Sequence, residues 1–81
     1  MIMKSRKVYV KVIAQFEEDG TVMPVSVIWE DGRKFKIDKI TDIRRAYATG
    51  AGGTGIRYAV RIGGKSTFLF YDENKWFVEG N

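Results

Sequence analysis

The chain has 81 residues, with 14 Lys and Arg against 10 Asp and Glu for a net charge of +4, and it contains neither histidine nor cysteine. That leaves room for one small domain and excludes the usual zinc ligand sets, Cys-His and Ser-His nucleophilic pairs and the common near-neutral general base. A hydrophobic fraction of 44% with 14% aromatics suffices for a core, because large rings bury the most area per ordered residue; the charge points to polyanionic partners only weakly.

From the N-terminus, residues 1–6 read as flexible, and a single β domain is expected over residues 1–81. The opening "MIMKSRKVYVKVIAQF" is basic, but Lys11 interrupts its apolar part and no small-residue cleavage site follows. Neither a signal peptide nor a membrane span is expected, which places the chain in the cytoplasm. Val8, Val10, Val12, Ala14 and Phe16 alternate with Lys7, Lys11 and Gln15, as in a strand with one buried face. Tyr9 and Ile13, on the other parity, are too apolar for open solvent and suggest a covered edge, a homodimer contact or a docking strip.

After a turn in "EEDGT", the segment "VMPVSVIWE" places Met23, Val25, Val27 and Trp29 on one parity. The next turn then fixes register. A three-residue loop Glu30-Asp31-Gly32, with Gly32 left-handed, pairs Val27 with Phe35 and Val25 with Ile37, whereas a two-residue turn would set core against charge. In "IDKITDIRRAYATG", Ile37, Ile40, Ile43 and Tyr47 fall near helical spacing, so a short helix near residues 41–48 is one reading. The β-branched content favours a strand.

Ile56, Tyr58, Val60 and Ile62 alternate with Arg57 and Arg61 in a further strand, and "IGGK" makes the turn after it. In "FLFYDENKWFV" a three-residue loop Asp72-Glu73-Asn74 pairs Phe70 with Trp76 and Phe68 with Val78. The expected core is therefore Val10, Val12, Val27, Trp29, Phe35, Tyr58, Val60, Phe68, Phe70, Trp76 and Val78. The architecture expected is all-β, a small SH3-like or partly open barrel of five to seven short antiparallel strands, with a curved meander carrying one helix as the alternative.

"GAGGTG", Gly50–Gly55, matches the G-x-G-x-x-G of dinucleotide-binding loops. That fingerprint requires a helix whose first amides hold the pyrophosphate, and "IRYAVRI" alternates as a strand instead. The Lys-Ser/Thr of a phosphate-binding loop is also missing. Residues 49–55 read as a mobile hairpin connection, and no cofactor and no metal are expected. The carboxylates lie mostly beside Gly or Lys in turn-like stretches, so no enzymatic activity is expected.

What remains are surfaces. Arg57 and Arg61 project from a non-core face with Tyr71 nearby, the pairing of cations and rings that a single-stranded nucleic acid requires. Arg33, Arg44 and Arg45, with neighbouring lysines, form a second basic concentration, read as solvated or as phosphate contacts. An apolar strip of Tyr9, Ile13, Leu69 and Phe77 would suit a protein partner along an edge strand or groove.

The runs "WEDGRKFKIDKITDIRRA", "GGTGIRYAVRI" and "LFYDENKWFVE" resemble a family of small uncharacterised all-β bacterial proteins, mostly from Firmicutes, encoded near Y-family DNA polymerases. The resemblance spans Lys7 to Glu79 and lends no catalytic residues. It implies a DNA-repair setting, with nucleic acid or a repair protein as partner. The function expected is a non-enzymatic accessory binding domain that contacts single-stranded nucleic acid, with a protein-protein interaction module as the alternative. A homodimer is compatible with either.

Overall fold

The alternating segments fold into a single sheet in the computed structural model, which describes residues 6–47 and 54–80. Seven strands, β1 (Arg6–Phe16), β2 (Val22–Ile28), β3 (Lys34–Lys36), β4 (Lys39–Tyr47), β5 (Thr54–Ile62), β6 (Lys65–Asp72) and β7 (Lys75–Gly80), lie in the order β3-β2-β1-β7-β6-β5-β4. Every neighbouring pair is antiparallel, and among the described residues there is no helix. The sheet curls into a half-barrel, the partly open barrel that the strand pattern predicts.

The curl is visible in a bond between two strands that are not neighbours and in the ties at one corner. The Tyr58 hydroxyl on β5 donates to the Val22 carbonyl on β2, across the inner face. At the β3–β4 corner the Asp38 N–H donates to the Arg61 carbonyl at 2.8 Å, and the Asp38 carboxylate accepts the Gly63 N–H at 3.0 Å. Thus the corner is tied to the β5–β6 turn. Inside lie Val27, Ile37, Tyr58, Val60, Leu69 and Trp76, with the Tyr71 and Tyr58 rings 4.4 and 5.5 Å from that of Trp76.

The β2–β3 turn forms as its chemistry dictates. Gly32 takes φ 90°, the Trp29 N–H donates to the Arg33 carbonyl at 2.8 Å, and Val27 faces Phe35. Asp31 accepts the Arg33 N–H at 3.0 Å, and that bond holds its carboxyl below the ordinary range. The "EEDGT" turn repeats the arrangement, with the Glu17 N–H donating to the Thr21 carbonyl at 2.8 Å.

The β6–β7 turn differs from expectation. Glu73 and Asn74 both take left-handed conformations, φ 51° and 64°, in a two-residue turn that pairs Asp72 with Lys75, Tyr71 with Trp76 and Phe70 with Phe77. Shortening the loop by one residue turns every β6 side chain to the opposite face. Leu69 is consequently 1% exposed and Phe68 47%, the reverse of the expected core. Residues 68–71 are apolar at every position, so alternation alone does not choose a face.

Two bulges account for the other departures. Ile13 pairs with Ser26 and Ala14 with Pro24, which leaves Val25 as the extra residue, exposed although it shares the parity of the buried Val27. In β4, Ile40 faces Val60 and Asp42 faces Ala59, so Thr41 is extra, and its hydroxyl donates to the Ala59 carbonyl at 3.1 Å. That insertion puts both Ile40 and Ile43 on the inner face, and it explains how a strand acquires a spacing of three. The helix alternative is corrected over 41–47; residue 48 lies outside the described residues.

Phe35, expected in the core, is 37% exposed, and Trp29 is half-buried, because both stand at the open side of the barrel. Of the segments read as flexible, residues 1–5 and 48–53 lie outside the described residues. Arg6 opens β1, and Thr54 and Gly55 pair with Tyr47 and Ala46 as the start of β5. The strand that follows Gly55 offers no helix N-terminus to a dinucleotide.

Candidate nucleic-acid interface

Register sets the composition of the outer face. Four successive pairings, Tyr9 with Phe77, Phe77 with Phe70, Phe70 with Arg57 and Arg57 with Arg44, draw one row across β1, β7, β6, β5 and β4. Its aromatic half is packed: Phe70 and Phe77 stack at 5.1 Å with an interplanar angle of 7°, and Tyr9 meets the Phe77 edge at 5.9 Å. Phe77 is buried although it faces outward, because Tyr9 and Phe70 cover it, whereas Tyr9 itself is 56% exposed.

Cations interleave with these rings. The Arg57 guanidinium lies 4.6 Å from the Phe68 ring centre, the Lys7 ammonium 4.9 Å from Phe77 and the Lys75 ammonium 5.7 Å from Tyr9. On the β4–β5 side like charges confront each other, Arg44 opposite Arg57 and Lys39 opposite Arg61. Such directly opposed like charges destabilise a sheet. Asp42 relieves part of this by holding Arg44 at 2.7 Å; among the described residues Arg57, Arg61 and Lys39 have no ion-pair partner.

The expected site residues divide between the two faces. Arg57, Arg61 and Arg44 share the outer face. Tyr71, expected beside Arg57, is on the inner face against Trp76, with its hydroxyl donating to Asn74 at 3.1 Å; the β6 register puts it there, and Phe68 and Phe70 take the outer positions instead. Arg45 pairs with Ile56 on the inner parity. Arg33 lies in the β2–β3 turn, bound to Asp31 at 2.6 Å and 5.4 Å from the Phe35 ring.

The expected interaction strip also breaks up. Leu69 is buried inside, and Tyr9 and Ile13 fall on different halves of β1, Tyr9 paired with Phe77 of β7 and Ile13 with Ser26 of β2. Sequence reasoning missed Phe68, Phe70, Lys7 and Lys75 as members of this face, and placed Lys39 in the second basic concentration rather than opposite Arg61. One signal for them was present: Asp72 and Lys75 are opposite charges placed to close a two-residue turn, and Lys75, Phe77 and Glu79 share a parity whose charged ends mark it as the outside.

Among the described residues no helix is long and apolar enough to cross a membrane. No family model, no curated protein and no solved structure matches this chain.

Proposed function

We propose that the chain is an accessory binding domain whose outer face takes single-stranded nucleic acid. One observation carries the reading: Arg44 and Lys39 stand directly opposite Arg57 and Arg61, a costly arrangement that a polyanion would relieve, and it continues into a row of rings. Phosphates would lie along β4 and β5. Bases would stack on Phe68 and Tyr9, which are 47% and 56% exposed, because every base has a π-face and needs no hydrogen-bond readout to stack.

Titration of fluorescently labelled oligothymidylate at several salt concentrations tests this. Neutralising about four phosphates gives a log-log salt slope of about −3. Arg57→Gln should lower that slope by somewhat less than one unit, whereas Phe68→Ala should cost about 1–3 kcal/mol with the slope nearly unchanged. Absence of binding at low salt, or unaltered affinity when Arg57 and Arg61 are both replaced by alanine, refutes the reading. A DNA-repair setting is part of the proposal through the sequence resemblance and rests on no feature of the fold.

A further inference from the structure

The inner face holds a second feature that the proposed nucleic-acid surface does not use. Between the β2–β3 arm and the β5–β6 side the half-barrel leaves a cleft of about 650 Å³, within the size range of small-molecule sites. Val27, Val60 and Leu69 form its depth and are 5%, 1% and 1% exposed. Trp29 and Phe35 stand at its open side.

The polarity of this cleft limits what fits. Val27, Val60 and Leu69 carry no side-chain polar atom, so the depth offers no side-chain hydrogen bond to a sugar or a base edge, and an apolar occupant is the one it accepts without penalty. The margin is different. Lys34, Lys36 and Lys65 stand there exposed, and none has an ion-pair partner among the described residues. Of the margin's two carboxylates, Asp38 is tied to the Gly63 N–H and Glu79 is in register with Lys7. An apolar interior with ammonium groups at its mouth is complementary to an alkyl tail with an anionic head.

We propose that the cleft binds a monomeric single-chain carboxylate amphiphile, with the tail against the half-buried Trp29, Ile62 and Val78 and the exposed Phe35, above the closed floor of Val60 and Leu69, and the head group met by Lys34, Lys36 and Lys65. The inference goes beyond the outer-face reading and is independent of it.

The test titrates the full chain with dodecanoate below its micelle concentration and follows tryptophan emission and amide shifts. Saturable shifts centred on Val27, Val60 and Leu69 are expected, with 1-dodecanol binding more weakly and dodecyltrimethylammonium weakest. Replacing Lys34, Lys36 and Lys65 together by glutamine should weaken dodecanoate by about tenfold, the sum of three exposed charge contacts, and leave 1-dodecanol unchanged. Thr67→Trp, at an exposed position lining the cleft, should block both. Should that variant fail to fold, the glutamine variant still decides. Shifts confined to Tyr9 and Phe68, equal affinity for the cationic amphiphile, no saturation, or binding to phosphatidylglycerol vesicles without binding of monomer would each overturn the proposal.

Discussion

Leu69 and Phe68 are adjacent, similar in hydrophobicity and opposite in fate, so single substitutions separate the two possible β6 registers. Leu69→Ala should cost about 2–5 kcal/mol in urea denaturation, as for any large-to-small change in a closed core. Phe68→Ala should cost about 1 kcal/mol or less, the worth of its cation-π contact with Arg57; the reverse order would place Phe68 inside. Tyr58 gives a pH test. Burial, reinforced by the neighbouring Tyr71, raises its hydroxyl above the ordinary value of 10.0. The folded state therefore holds the proton more tightly, and the stability this contributes is complete below that value and is lost as pH rises above it. Tyr58→Phe leaves the Val22 carbonyl without its donor and should cost about 1–3 kcal/mol near neutral pH. That deficit should narrow above pH 10.0, and a constant difference across the range would contradict the assignment.

At the scale of elements, turns decide more than strands do. Glu73 occupies a left-handed conformation, φ 51°, that an L-residue with a long side chain adopts at a cost and glycine adopts freely. Glu73→Gly should therefore stabilise the β6–β7 hairpin by about 0.5–1 kcal/mol, the net of relieved strain and lost chain stiffness. Chemical denaturation checks it, and a loss of stability would argue against a two-residue turn. The β1–β2 and β2–β3 turns, both ending Asp-Gly, carry lowered carboxyls: Asp19 through Thr21 and Asp31 through the Arg33 amide. Their contribution is present above the ordinary value of 3.8 and is lost as pH falls below it.

Closure is a property of the whole molecule. The two sheet edges, β3 and β4, are consecutive in sequence, so the corner between them is where the curl must be fastened, and Asp38 does so through Arg61 and Gly63. Asp38→Ala removes the side-chain half of this clasp and should cost about 0.5–1.5 kcal/mol. Hydrogen exchange is the more specific readout. The Gly63 amide should lose protection while the central β1–β7 ladder keeps its own, and uniform loss across the sheet would mean that the clasp is not local.

The all-β class, the strands β1 and β5 and the three-residue β2–β3 turn follow from the sequence by itself. Each rests on an alternation or a turn chemistry contained within a few residues. Arg57 and Arg61 were legible for the same reason, because their parity opposes a clear apolar set; Arg44 was named as basic, but the Thr41 bulge decided its face. The face of Phe68, Phe70 and Tyr71 was not legible. A run apolar at every position is compatible with either face, and its register is settled by a turn that carries no glycine. The bulges at Val25 and Thr41 likewise follow from how partner strands must bend to curl the sheet. Tertiary structure alone therefore decided which rings lie outside beside the arginines, and that the lysines of β3 and β6 stand at the mouth of an apolar cleft.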